Sequence, residues 1–324
     1  MSGATLSFEN IRQLHDLLRQ FDTAAEWLVR LGLQDAGWIR DARNSIEHLH
    51  LSTPPAGPVK EVWAVFKEAL CFRHEASDLI RIHEMFQGPG DEEVLREKFA
   101  KHTRNITGSL LDTPQDDMGR DLIAELSYGA LLRHAGHATD HSCGTDILLR
   151  FPLLAGQQQV FAIEVKRAKS EKQIGAKVAH GAEQIEKAMR GEPDFAHPYG
   201  TLEGGAVVLI CDRLIDDTHD VPLAPPMDER DALPYLSARI DAFRQANLTR
   251  LDAGRGRTHV FGVNLLWKPM LLTRRPDGSP IWSEVNQRRW HPYDRVGTWD
   301  PEGAARFAHL HSAMRNALIW TPPV

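Results

Sequence analysis

The chain has 324 residues, 42% of them hydrophobic and 25% charged, with a formal net charge of −6 at pH 7. Such a chain can bury a sizeable core in two domains and a smaller third region. No run approaches the about 18 apolar residues of a membrane span, and the polar start has no secretory pattern, so a cytoplasmic protein off the membrane is expected. The acidic balance excludes wholesale attraction to nucleic acid; any such binding needs a local basic surface. Cys71, Cys143 and Cys211 are far apart and lack Cys-x-x-Cys spacing, against both a disulfide framework and structural zinc.

Residues 1–112 read as an all-α N-terminal domain. Ser7 to Gln20 and Asp22 to Leu31 alternate apolar and charged residues at helical spacing, with Trp27, Leu28 and Leu31 on one face. The Pro54-Pro55-Ala56-Gly57-Pro58 break precedes a long helical pattern from Val59 to Phe86. Gly88-Pro89-Gly90 ends it, and Asp91 is expected to cap a further helix carrying Val94, Leu95, Phe99 and Ile106. Thr113 to Asp117 marks the domain boundary, and the domain suits dimerisation, target recognition or plain scaffolding.

Residues 113–270 carry the chemistry. Glu125 lies on an amphipathic helix with Ile123, Leu126, Leu131 and Leu132, ahead of a stop at Gly136. Asp146-Ile147-Leu148-Leu149-Arg150-Phe151 and Val160 to Lys166 read as two strands joined by a turn over Pro152 to Gln157. Symmetry about Ala155 pairs residues whose numbers sum to 310, which sets Asp146 opposite Glu164, with Cβ atoms about 4.5–5.5 Å apart. Lys166 shares that face; Ile163 and Val165 take the other. Two carboxylates so close call for a cation held by oxygen ligands. In the next helix Ile174, Val178, Ile185 and Met189 form the buried stripe, and Lys177, Gly181 and Gln184 a neighbouring face suited to a phosphate backbone. Arg167, Lys169, Lys172 and Lys177 supply a local basic surface.

The order helix-Glu125, strand-Asp146, strand-Glu164-x-Lys166, helix-Gln184 resembles the PD-(D/E)XK nuclease superfamily, over roughly the middle third of the chain. The resemblance implies an α/β fold with a restriction-endonuclease-like core, a mixed sheet flanked by helices. It implies Mg²⁺, replaceable by Mn²⁺, bound by Asp146, Glu164 and the Val165 carbonyl with support from Glu125. Lys166 would position or activate the attacking water, and Gln184 would complete the catalytic set. Thr145 stands where the family name has proline, and Ala188 four after Gln184 departs from the Gln-x-x-x-Tyr branch. The implied activity is a DNA endonuclease of restriction, phage defence or repair. A silent nucleic-acid- or protein-binding member and a ribonuclease are the alternatives, and a homodimer or a separate effector or motor chain stays open.

Gly204 to Asp212 is a continuous apolar strand for the middle of a sheet, Asp228 to Leu251 a helix, and Thr258 to Trp267 a further strand. Residues 271–324 form a C-terminal extension packed on the core. In it Trp282, Trp290, Tyr293 and Trp299 alternate with Arg274, Arg275, Arg288, Arg289 and Arg295, either to stack bases or to pack the lobe, before a helix opened by Asp300-Pro301. His134, His137 and His141 straddle a helix end and a loop and are set aside as a zinc site. Gly-x-Ser-x-Gly and the phosphate-loop motif are absent, which excludes a serine-hydrolase elbow and an ATPase of that class.

Overall fold

The computed structural model describes residues 8–32, 38–51, 75–102, 118–152, 158–211, 214–215, 229–274, 280–284, 287–293 and 301–316. These fall into two compact units that divide between Ser127 and Tyr128.

The first unit is helical among its described residues: α1 (Phe8–Arg30), α2 (Trp38–Leu51), α3 (75–86), α4 (Pro89–His102) and the first part of α5 (Met118–His134). Leu17, Leu18, Phe21, Ala24, Ala25 and Leu28 recur at threes and fours and are buried, so α1 runs unbroken where the sequence suggested two segments. Buried Trp27 donates its indole N–H to Glu92 at 2.7 Å and meets the His83 ring edge-on. Helix α4 begins at Pro89, so Asp91 lies in its first turn instead of capping it; proline is pre-set for that position because its missing N–H has no helical partner there. The proline break, the Val59 start of the long helical pattern and the boundary at Thr113 to Asp117 lie outside the described residues.

The second unit is built on a six-stranded mixed sheet in the order β1 (Ala138–Asp140), β2 (Ile147–Pro152), β3 (Gln158–Arg167), β4 (Leu202–Ile210), β5 (Val260–Trp267), β8 (Gln287–Pro292). A separate pair joins β6 (Met270–Arg274) to β7 (Pro280–Glu284). Strands β1, β2 and β3 are antiparallel; β3, β4 and β5 are parallel; β8 returns antiparallel to β5. The hairpin register is the one expected, from Ile147 opposite Ile163 to Pro152 opposite Gln158. Strand β4 is buried from Gly204 to Ile210, as a central strand covered on both faces must be.

Helix α6 (Glu171–Met189) makes the crossover from β3 to β4 and lies on the face carrying Glu164. Ile174, Val178, Ala182 and Ile185 are buried as its stripe, while Met189 is half-exposed. Helix α7 (Glu229–Ala246) joins it there: Ser237 and Asp241 both take the guanidinium of Arg289. A one-turn helix α8 (Leu248–Leu251) follows, so the expected Asp228 to Leu251 helix is interrupted at Asn247. The last helix, α9 (Pro301–Asn316), covers the opposite face through Phe307 on Phe261 and Trp290, and His309 on Phe151. Gln287–Pro292, placed by the sequence in the C-terminal extension, is thus the sixth strand of the main sheet. Arg288 there bonds the Met314 carbonyl and Trp290 packs between Phe307 and His311, so these members of the aromatic and basic run pack the unit. The side chains of Arg274, Arg275, Trp282, Arg295 and Trp299 lie outside the description. No helix among the described residues is long and apolar enough to cross a membrane.

Glu186 docks α6 onto the entrance of β5. Its carboxylate takes the His259 backbone N–H at 2.9 Å and meets the His259 ring at 3.0 Å, while the His259 carbonyl receives the Gly205 N–H. Burial pushes the Glu186 carboxyl up, but the His259 contacts outweigh it and hold the pKa below its ordinary value. Glu186→Gln should therefore lower stability at neutral pH by about 1–2 kcal/mol. A depressed acid stabilises above its unfolded pKa and loses that contribution as pH falls through the folded one, so the gap should narrow in acid. Urea melts of both proteins at several pH values check this; a constant gap would reject the contact as its source.

Candidate active site

The site forms at the open end of the β2–β3 hairpin. Continuing the ladder one residue past Ile147 sets Asp146 against Glu164, and the Asp146 backbone N–H donates to Glu164 Oε1 at 3.3 Å. Asp146 Oδ2 accepts the Val165 N–H at 2.7 Å and Lys166 Nζ at 3.0 Å; Glu164 Oε2 accepts the same Nζ at 2.7 Å. One ammonium thus bridges two acids from neighbouring strands. Glu164 has 0% exposure and Lys166 9%.

Burial first, and then the Asp146 charge, raise the Glu164 carboxyl well above the ordinary range, and Lys166 only partly offsets them. Burial alone would lower Lys166, yet the carboxylates of Asp146 and Glu164 reverse that and leave it above its usual value. The Val165 carbonyl leaves the backbone on the same side as its N–H, toward Asp146 and past the last ladder pair.

Helix α6 can approach because Gly181 has no side chain: a Cβ there would lie 3.1 Å from Val207 Cγ2 and 3.4 Å from Glu164 Cβ. The Lys177-Gly181-Gln184 face read as open to phosphate is therefore closed against the sheet at Gly181, whose small size serves packing. Gln184, nearly one turn on, buries Oε1 without a hydrogen-bond partner among the described residues. His180, one turn before Gln184, was not singled out from the sequence; burial first and then the Lys166 charge lower its pKa. Its four-residue spacing from Gln184 was the available signal.

The other expected residues stand on other elements. Glu125 lies in the helical unit, buried, with Lys98 on its carboxylate. Arg167 ends β3 and by strand alternation points to the face opposite Glu164 and Lys166. The Lys169 N–H donates to Gln173 Oε1, Lys172 is exposed on the first turn of α6, and Lys177 is half-buried about 140° further around that helix.

No family model, curated protein or solved structure matches the chain.

Among the described residues no three His, Cys, Asp or Glu side chains gather into a metal-holding group. Two carboxylates nevertheless meet here, and strand geometry turns the Val165 carbonyl to the Asp146 side with its N–H, a hard-oxygen set suited to a small divalent cation completed by water. The raised Glu164 carboxyl fits that need, since a nearby cation would restore its ionised form.

Proposed function

We propose that the protein is a metal-dependent nuclease, most simply a DNA endonuclease of restriction, phage defence or repair, with a restriction-endonuclease-like core and a helical N-terminal module. The reading rests on one observation: Asp146, Glu164 and Lys166 interlock at the carboxyl end of β3, where open α/β sheets bind ligands. Asp146, Glu164 and the Val165 carbonyl would hold Mg²⁺ or Mn²⁺. When bound, that ion supplies an acidified water and charge to offset the phosphate.

The chain's own residues supply orientation. The Val165 N–H fixes the Asp146 carboxylate. Lys166, held as an ammonium by both acids, is a donor and a fixed positive charge for the scissile phosphate and the incoming water, in place of a base. Gln184 offers an acceptor from α6.

The bridging ammonium also favours one rival, a closed ion cluster in a silent binding protein. Plasmid, linear duplex, single-stranded DNA and RNA, each with Mg²⁺, Mn²⁺ or EDTA, separate the readings when Asp146→Ala, Glu164→Ala and Lys166→Ala run beside the parent. Each substitution should reduce cation-dependent cleavage by at least about 10². Cleavage unaffected by all three rejects the site; binding without cleavage favours the rival, and cleavage of RNA alone makes the enzyme a ribonuclease.

A further inference from the structure

We infer that Arg150 and Tyr199 form a subsite for a phosphate flanking the scissile one on the bound nucleic-acid strand, an inference that rests on the nuclease reading. The register carries it. Opposed residues of an antiparallel pair share a sheet face, and Asp146 with Glu164, Leu148 with Ala162 and Arg150 with Val160 are successive rows of one face. Arg150 therefore stands on the face of the acids and lysine, two pleat repeats from Asp146, about 13 Å along β2. Edge strand β1 adds Asp140 to that face, opposite Leu148.

The guanidinium lies over the Tyr199 ring, 4.5 Å from its centroid. Tyr199 is itself fixed: its hydroxyl donates to Asp140, whose carboxylate also takes the Ser142 N–H. Asp140 is thereby engaged elsewhere, and Arg150 has no carboxylate partner among the described residues. Its Nε is buried with no hydrogen-bond partner among those residues. A half-buried guanidinium usually finds an acid in a chain with 44 acidic and 38 basic residues. Here an aromatic ring holds one flat side, which leaves the terminal Nη N–H groups for an anion. That planar fork matches two phosphate oxygens, and the stacked ring limits the freedom lost on binding.

The sequence showed Arg150 only as a charged residue within a strand, and Tyr199 lies 49 positions away. Only folding brings them together.

The test is fluorescence anisotropy of labelled single-stranded and duplex oligonucleotides with the full chain in EDTA, across a salt series, with cleavage in Mg²⁺ measured separately. Arg150→Gln should weaken binding about 5–10-fold and reduce the salt slope by about 1. Arg150→Lys should keep the slope but lose about 2–3-fold in affinity. Tyr199→Leu should weaken binding a few-fold, and Tyr199→Phe, which keeps the ring but frees Asp140 to compete for the guanidinium, should weaken it less. Thermal melts identify any variant that fails to fold, and Arg150→Lys and Tyr199→Phe then remain to decide.

If the parent binds and cuts while Arg150→Gln matches it in affinity and slope, the subsite is overturned and the nuclease reading stands. If the parent neither binds nor cuts nucleic acid, the nuclease reading fails and takes the subsite with it. If inorganic phosphate at matched ionic strength abolishes the affinity difference between the parent and Arg150→Gln, the subsite takes free phosphate and the strand assignment is wrong.

Discussion

Lys166→Met should cost the metal-free protein about 3–5 kcal/mol of folding stability, because it leaves a buried acid without its partner. Glu164 has no exposed surface, and Lys166 gives it a 2.7 Å charge-assisted bond. Burial and the Asp146 charge already hold the Glu164 carboxyl above its usual range. An acid raised on folding binds more protons in the folded state than in the unfolded state between the two pKa values. Stability therefore falls as pH rises from the ordinary carboxylate range through the raised value. Without the ammonium, Glu164 rises further and the decline extends to higher pH. Lys166 adds nothing to that slope: a lysine raised on folding loses its contribution only in strong alkali.

Glu164→Gln should remove the slope, and Glu164→Gln with Lys166→Met should recover most of the single-variant loss, giving a coupling energy of about 2 kcal/mol or more in a double-mutant cycle. Mg²⁺ should raise the parent's melting temperature near neutral pH and fail to do so in Glu164→Gln. Urea melts and calorimetry read all of this without any substrate. Additive single substitutions, or a slope that survives Glu164→Gln, would show that the three side chains do not act as a unit.

The hairpin was legible because its information is local. The apolar run from Val160 to Val165 and a turn centred on Ala155 left one register that buries Ile147, Leu149, Ile163 and Val165 together, and Asp146 then falls beside Glu164. Strand β8 carries no such information. Gln287-Arg288-Arg289-Trp290 has neither alternation nor a continuous apolar run, and it pairs with β5 because Arg288 finds the Met314 carbonyl and Arg289 finds Asp241 and Ser237. Those partners lie 26 to 52 positions away in the chain. Strand β1, with 3 residues, is too short to show any period.

The same distinction divides the site. Asp146, Glu164 and Lys166 are fixed by a spacing of two and one hairpin, and they converge. Glu125 and Gln184 were placed by helical faces, which state which residues neighbour one another on a helix and not what that helix meets. Gly181 shows the difference: on the helix it shares a face with Lys177 and Gln184, yet it is the point where α6 rests on Glu164 and Val207.

If the protein is the nuclease proposed, Gly144→Ala should lower its turnover by about 10², far beyond its effect on stability, because it displaces the segment that carries Asp146. The Gly144 N–H donates to the Asp194 carbonyl at 2.9 Å, which pins the approach to β2 against the 3-10 turn Pro193–Phe195 after α6. A Cβ at Gly144 would lie 2.4 Å from the Asp194 oxygen, 3.1 Å from its carbonyl carbon and 3.3 Å from Phe195 Cδ1. No side-chain rotation relieves a contact with backbone, so the loop or the turn must retreat. Asp146 stands two residues on, beyond the fully buried Thr145, and has little slack to absorb the shift. Overpacking of this kind costs about 1–3 kcal/mol. A 1 Å misplacement of a reacting group costs about 10² in rate. The experiment compares turnover and urea midpoint for Gly144→Ala with Gly90→Ala, where a Cβ meets nothing within 4 Å. Gly144→Ala with parental turnover would mean that this clamp does not set the position of Asp146.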